Sequence, residues 1–383
     1  MKNYKIAVLP GDGVGPEILA EGLKVIKAAL GYRLSSWTFV EYEIGAAHYK
    51  KAGVACPPET IAACRTSDAI FFGCVGLPDV RKEDGSEVQA GYTYRIDLDL
   101  YANIRPIKLY VGVDSPLKKR RPGEIDYVIL RENTEGLYTW GQGSFRVKDQ
   151  VAVNPMIISR MGTERIVHKA FELARKRQGA PGDGKRRVTC VDKANVVPAL
   201  AFFRKIFEEV SQEYPEIEKE SIYADAMTVY MLQRPEHYDV VVTENMLGDI
   251  LSDLGSATVG GLGLAPSAEV GDRRGLFQPI HGSAPELAGK NIANPIAAIL
   301  SAAMMFQWLG EKHEDPEALA VAGRIHRATE GVLAEGKCRT PDLGGKNTTQ
   351  EMGDAIAEKA ASGSGRPRCP GEEEANASPI KVP

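Results

Sequence analysis

An α/β protein with a mainly parallel sheet is what this chain of 383 residues predicts. Three observations carry the expectation. The short apolar runs IAVLP, AIFFGCVG, YVILREN, RVTCVD and YDVVVTEN have the length of buried strands, helical spacing intervenes between them, and most are closed by glycine or polar residues. The length suffices for two domains or one large α/β unit.

Taken in order, the first element is the strand carrying Ile6, Val8 and Leu9, which enters the turn Gly11-Asp12-Gly13-Val14-Gly15. Ile18, Leu19, Leu23, Val25, Ile26, Ala29 and Leu30 then recur at helical spacing. Pro16 occupies the first helical position, where its missing N–H costs nothing. This resembles the opening of a dinucleotide fingerprint, but the spacing is G-x-G-x-G, and Pro16 stands where the third glycine belongs. A carboxylate about twenty residues on is met only loosely, by Glu41 and Glu43. The prediction is a tight strand-to-helix turn with no Rossmann fingerprint. Further on, RKRQGAPGDGKRR (Arg175 to Arg187) reads as an exposed loop with solvated charges between a helix and the strand VTCVD. The run from Ile292 to Gly310 is broken by Asn294, Pro295 and Gln307, which predicts a buried core helix rather than a membrane span. Residues 362–383 are polar, rich in glycine and proline and aperiodic, which predicts a disordered tail. There is no internal repeat.

A net charge of −4 gives no reason to expect nucleic acid or an anionic membrane as partner. Six cysteines (Cys56, Cys64, Cys74, Cys190, Cys338 and Cys369) form no C-x-x-C pair, so neither a zinc site nor a disulfide framework is indicated. The N-terminus has no apolar signal-peptide core. A cytoplasmic protein is expected.

Chemistry-bearing residues gather in the loops and strand ends. YRIDLDLYANIRPIK places Arg95 and Arg105 ten residues apart, and VILRENTEGLY adds Arg131 and Tyr138. Each arginine alone reads equally as a surface ion-pair partner; three together suit a di- or tricarboxylate, because the planar guanidinium donates two parallel hydrogen bonds. In TCVDKANVV, Lys193 follows a strand, where it is either an ordinary exposed lysine or a base. In TENMLGDILSDLGS, Asp249 and Asp253 share one helical face beside Ile250, Leu251 and Leu254, and Asp225 sits in a separate segment. Such carboxylates suit Mg²⁺ or Mn²⁺, or else form a solvated face. FQPIHGSAPELAGKNIANP adds a loop of small residues around His281, Gly282, Ser283 and Ala284, followed by Glu286.

Together LPGDGVGPEI, LDLYANIRP, LRENTEGLY, DKANVV, TENMLGDILSDLGS and HGSAPELAGKNIANPIAAILSAAMM resemble the β-decarboxylating dehydrogenases, the isopropylmalate, isocitrate, homoisocitrate and tartrate/D-malate enzymes. The resemblance reaches to about residue 360. It implies a two-domain isopropylmalate/isocitrate dehydrogenase-like fold: residues 1–100 with 260–361 on the cofactor side, and 101–259 for substrate and dimerisation. It implies NAD and a divalent ion, Mg²⁺ or Mn²⁺, with the adenosine end of the cofactor along His281 to Asn294, and Asn195 near the nicotinamide. Arg95, Arg105 and Arg131 match the arginines that clamp the malate carboxylates, Tyr138 the acid that protonates the enol, and Lys193 the base for the 2-hydroxyl. Asp225, Asp249 and Asp253 match the metal-binding carboxylates. The resemblance further implies a homodimer in which Lys193 and Asp225 reach the partner's site. Glu286 and Leu287 stand where NADP-preferring members carry lysine and tyrosine, and a carboxylate there repels a 2′-phosphate and accepts from ribose hydroxyls.

The expected reaction is the NAD-dependent, metal-assisted oxidative decarboxylation of a 3-substituted (2R)-malate, of the 3-isopropylmalate type. Tartrate/D-malate and isocitrate/homoisocitrate activities stand beside it, as does a non-catalytic regulatory subunit on the same fold. The substituent-selecting segment RKEDGSEVQAGYTYR leaves the choice open. Gly91 and Tyr92 replace the paired leucines of isopropylmalate enzymes, and Gln89 and Gly91 replace the serine and asparagine of isocitrate enzymes. Arg81 and Lys82 are upstream charges that either serve an acidic substituent or are solvated.

Overall fold

The computed structural model describes residues 2–83, 85–88, 91–138 and 144–362, without the side chains of residues 91–93. The expected tail beyond Ser362, Cys369, Gln89 and the side chain of Tyr92 lie outside the described residues.

β1 (Tyr4–Gly11) feeds the glycine turn and α1 (Gly15–Leu30), so Pro16 falls one place inside the helix. Then come β2 (Trp37–Glu41), α2 (Ala46–Ala52), α3 (Pro58–Thr66), β3 (Ala69–Cys74) and α4 (Gly91–Asp97). The middle of the chain supplies β4 (Ala102–Lys108), β5 (Asp126–Glu132), a ribbon of β6 (Phe145–Val147) and β7 (Val151–Val153), α5 (Arg160–Lys176), β8 (Arg187–Asp192) and α6 (Pro198–Val210). It continues with β9 (Glu218–Tyr223), α7 (Ala224–Gln233), β10 (Val240–Thr243) and α8 (Asn245–Ala257). The last part gives β11 (Pro266–Val270), β12 (Gly275–Pro279), α9 (Ile296–His313), α10 (Pro316–Glu335) and α11 (Thr349–Ser362).

All but the ribbon join one ten-stranded sheet in the order β2-β1-β3-β12-β11-β4-β5-β10-β8-β9. The expected α/β class with a mainly parallel sheet is what is found: both flanks are parallel. The centre is not. β12, β11, β4 and β5 pair antiparallel. The first pair follows from the short connection between β11 and β12, closed by Gly271 N–H to the Arg274 carbonyl at 2.9 Å, which permits only a hairpin. Strands from residues 1–100 and 260–361 occupy one side of the β11/β4 contact, and strands from 101–259 the other.

α9 is buried from Ile296 through Gly310, as its apolar run predicts, and packs on β11, β12 and α10. No described helix is long and apolar enough to cross a membrane. The charge run Arg175–Arg187 differs from expectation. Arg187 is buried against Asp183 and Glu218 (2.8 and 2.6 Å), and Arg177 holds Asp126 and the fully buried Asp239 (2.9 and 2.6 Å). Asp239 immediately precedes β10, and the Arg177 guanidinium offsets the cost of burying its carboxylate.

Candidate active site

Asn103 and Arg105 alternate onto one face of β4, and Arg131 of β5 lies opposite Asn103, so three polar side chains leave the same side of the sheet. α8 covers that face. Arg131 donates through Nε and Nη2 to Asn245 Oδ1 (2.9 and 2.6 Å) and through Nη1 to Asp249 Oδ1. Arg105 Nη1 donates to the same Asp249 oxygen at 3.1 Å and to Ser252 Oγ at 2.6 Å, and Asp253 Oδ1 is 4.0 Å away. Arg95 of α4 makes a forked pair with the buried Glu269 of β11, with Nε to Oε2 at 2.9 Å. Glu269 Oε1 also accepts from Gln278 Nε2 (2.8 Å) and Asn103 Nδ2 (3.3 Å), while Asn103 Oδ1 accepts from Arg105 Nε at 3.3 Å. One hydrogen-bonded chain thus connects all three predicted arginines, with the Tyr138 ring centre 5.7 Å from the Arg131 guanidinium.

The charges are tightly coupled. Burial works to raise the Asp249 carboxyl, but Arg131, Arg105 and Arg95 outweigh it and hold it below the usual range. Burial prevails at Asp253, which is raised despite Arg105. Burial, reinforced by the like charge of Arg105, pushes Arg131 down to about 9.

Lys193 and Asp225 pair with each other outside this hydrogen-bonded chain. Lys193 Nζ donates to Asp225 Oδ1 at 2.6 Å, where β8 ends and α7 begins. The preceding Asp192 is fully buried, accepts both Nε and Nη2 of Arg204 at 2.8 Å, and fixes the loop through Ala194 N–H at 2.7 Å. Arg204 and Lys193 both lie over Tyr223, at 4.7 and 5.6 Å from its ring centre. Asn195 beside them is exposed, as are Val196, Val229, Leu232 and Ile250. Asp225 is therefore not brought to Asp249 and Asp253 within one chain, and no group of three His, Cys, Asp or Glu among the described residues is placed to hold a metal.

A third region is a cavity of about 640 Å³ lined by Val14 of the glycine turn, Gly260 to Gly263, His281, Gly282, Ala284, Leu287, Asn294 and Asp342. Burial pushes the His281 imidazole below its usual range. Asn294 is held by Asp342 (Nδ2 to Oδ2, 2.9 Å), and its Oδ1 accepts from Ile296 N–H at 3.0 Å. Ser283 does not line the cavity; its Oγ donates to the Gly76 carbonyl and its own carbonyl accepts from Val14 N–H at 2.8 Å. Glu286 is exposed. Four of the described lining residues, Gly260, Gly261, Gly263 and Gly282, are glycines, which let a ligand approach the main chain closely.

Sequence patterns do not single out Asn245, Asn103 or Glu269. Asn245 was within reach, since it precedes Asp249 by one helical turn. Glu269 carries no pattern: it is one carboxylate in a five-residue strand. Arg81 pairs with the equally exposed Glu87 at 2.8 Å.

The profile of the family described as isocitrate/isopropylmalate dehydrogenase matches residues 5–356. A 3-isopropylmalate/3-methylmalate dehydrogenase of Methanocaldococcus jannaschii is 45% identical over 357 residues, spanning 93% of this chain and 98% of its own. A decarboxylating D-malate dehydrogenase of Escherichia coli is 38% identical over 369 residues, spanning 93% and 98%. The crystal structure of isocitrate dehydrogenase from Methylococcus capsulatus superposes with a TM-score of 0.82 at 35% identity, covering 94% of this chain and 99% of that one.

Proposed function

Starting from the fact that this chain belongs to the isocitrate/isopropylmalate dehydrogenase family and is an oxidoreductase, we propose that it oxidatively decarboxylates a 3-substituted (2R)-malate of the 3-isopropylmalate type, using NAD and Mg²⁺ or Mn²⁺. The observation that carries this reading is the convergence of Arg105 and Arg131 on one carboxylate oxygen of Asp249, with Arg95 tied into the same chain of hydrogen bonds. Guanidinium donors already aimed at an anionic oxygen suit the carboxylates of a malate.

In this reading Arg95, Arg105 and Arg131 bind and orient the substrate carboxylates. Lys193 removes the 2-hydroxyl proton and Tyr138 returns a proton to the enol carbon. Asp249 and Asp253 supply hard oxygen donors for the divalent ion, with Asp225 as the third. When bound, NAD⁺ takes up the C2 hydride and the divalent ion contributes positive charge against the enolate. His281, Gly282, Ala284 and Asn294 line the cofactor cavity, with Ser283 supporting their loop, Glu286 toward the ribose, and Asn195 toward the nicotinamide.

The outward-facing Lys193–Asp225 pair, set among exposed Val196, Val229, Leu232 and Ile250, supports a homodimer in which each protomer completes its partner's site. The same reading assigns residues 1–100 and 260–361 to the cofactor domain and 101–259 to the substrate and dimer domain, and places the protein in the cytoplasm. A second reading, D-malate or tartrate as substrate, is favoured by the segment before Arg95, which carries neither the paired leucines nor the serine and asparagine.

The test is NAD⁺ reduction and CO₂ release with Mn²⁺ or Mg²⁺ across 3-substituted malates, D-malate and tartrate. Turnover with 3-isopropylmalate that EDTA abolishes supports the first reading. Exclusive turnover of D-malate or tartrate selects the second, and silence across the panel with a folded dimer rejects both.

A further inference from the structure

Asp12 sits in the middle of the glycine turn, and nothing in the reaction described above employs it. Its residue is only 2% exposed. The carboxylate accepts three main-chain N–H groups: Ala46 at 2.7 Å and Gly76 at 2.8 Å on Oδ2, and Ala47 at 2.8 Å on Oδ1. Its own N–H donates to the Cys74 carbonyl at 2.6 Å. One short side chain therefore joins the turn after β1, the loop after β3 and the first residues of α2.

That junction continues into the cofactor cavity. Gly76, which donates to Asp12, accepts from Ser283 Oγ through its carbonyl. Ser283 in turn accepts from Val14 N–H at 2.8 Å, and Val14 lines the cavity. The links close a ring, Asp12–Gly76–Ser283–Val14, made from three segments far apart in sequence. The backbones are also packed without slack. Gly11 (φ +73°) and Gly13 (φ +59°) take left-handed conformations, and a Cβ on either would meet the Cys74 or Ser283 carbonyl oxygen at 2.0 or 1.9 Å. Removal of the carboxylate leaves three main-chain N–H donors, that of Ala46 buried, without their acceptor at the point where this ring is tied.

We propose that Asp12 is a positioning residue for the dinucleotide: it holds the glycine turn against the Gly76 and Ser283 loops, and thereby sets the spacing between Val14 and the His281–Ala284 wall of the cavity. The proposal rests on the reading of that cavity as the NAD site. Asp12 touches neither cofactor nor substrate; its effect is carried by main-chain hydrogen bonds. Asp12→Asn keeps the shape but sets an amide NH₂ against one backbone N–H, whereas Asp12→Ala removes every acceptor.

The experiment is fluorescence titration of the full-length protein with NADH alone, with neither hydroxy acid nor metal added. The comparison is wild type, Asp12→Asn, Asp12→Ala, and Ile356→Ala, a buried α11 position that does not line the cavity, as a control for loss of stability. The Kd for NADH is expected to rise about tenfold or more in Asp12→Ala and less in Asp12→Asn, with the KM for the hydroxy acid within about twofold of wild type. Ile356→Ala is expected to lower Tm and leave the Kd unchanged. A wild-type Kd in a folded Asp12→Asn or Asp12→Ala overturns the proposal. So does an equal rise in Ile356→Ala, or a parallel rise in the KM for the hydroxy acid. If wild type itself fails to bind NADH, the cofactor reading falls and takes the proposal with it; if wild type binds and the variants match it, only the proposal falls.

Discussion

Lys193 Nζ lies 2.6 Å from Asp225 Oδ1, and this pair looks outward, with the carboxylate side chain 69% exposed and the lysine side chain 31%. The hydrogen-bonded chain around Asp249, the arginine basin, does not include this pair. In the proposed function, a second copy presents Lys193 and Asp225 to that basin.

A mixing experiment follows from that arrangement. Lys193→Ala and Arg105→Gln homodimers are each expected to be inactive. When they are unfolded and refolded together, about a quarter of wild-type activity should return, since half of the dimers are hybrid and each hybrid has one intact site of two. Activity that stays at zero, with hybrids demonstrated by tagged purification, refutes the shared site.

Asp249 balances Arg105 and Arg131, and in the proposed function it is one of the two oxygen donors from α8 for a divalent ion. Asp249→Asn should raise the Mn²⁺ concentration for half-maximal activity by about tenfold or more, with the KM for NAD⁺ little changed. Its stability cost should be about 1 kcal/mol, kept small because the side chain is 38% exposed. Metal titration and urea unfolding measure the two effects separately.

Cofactor choice is expected to follow Glu286 and Leu287. Replacing Glu286→Lys and Leu287→Tyr together removes a carboxylate that repels a 2′-phosphate and installs a cation to meet it. The ratio of kcat/KM for NADP⁺ over NAD⁺ should rise by about a hundredfold, roughly 2.7 kcal/mol of discrimination. An unchanged ratio places the ribose elsewhere.

Glu330 of α10 provides a pH test away from the site. Burial opposes its ionisation, but His326 nearby (Nδ1 at 3.7 Å) and the hydrogen bond from Lys108 Nζ at 2.9 Å outweigh it and bring the carboxyl down to about 2. A carboxyl lowered on folding stabilises the native state above its unfolded pKa of about 4.5, and the contribution is lost as pH falls toward 2. Glu330→Gln should cost on the order of 2–3 kcal/mol at pH 7. The gap to wild type should narrow as pH falls through this window. Urea unfolding at pH 7 and pH 3 decides it; a constant gap would mean that the loss is one of packing.

The parts of this molecule that sequence patterns revealed are those whose causes are local. Strands β1, β3, β5, β8 and β10 announce themselves because both faces are buried and their runs are continuously apolar. β4 does not, because Asn103, Arg105 and Pro106 interrupt it, and two of those three are the polar groups the basin needs. The facing of Asp249 and Asp253 follows from helical spacing alone. The partner of Arg95 does not, since Glu269 comes from a strand 174 residues later and only tertiary pairing unites them. Arg177 and Arg187 were hidden for the same reason: the buried carboxylate that claims Arg177 lies 62 residues on.

The central strand order has a consequence for how the chain is made. β3 and β4 are complete early in translation, but the strands that lie between them, β12 and β11, arrive only with residues 266–279. Until that hairpin leaves the ribosome, the nascent polypeptide carries two partial sheets whose facing edges are bare, and they include the buried runs Ile70–Phe72 and Ile104–Ile107. A message truncated before codon 266 thus yields no smaller working enzyme but a pair of adhesive edges, and demand on chaperones should peak as the ribosome crosses the final third.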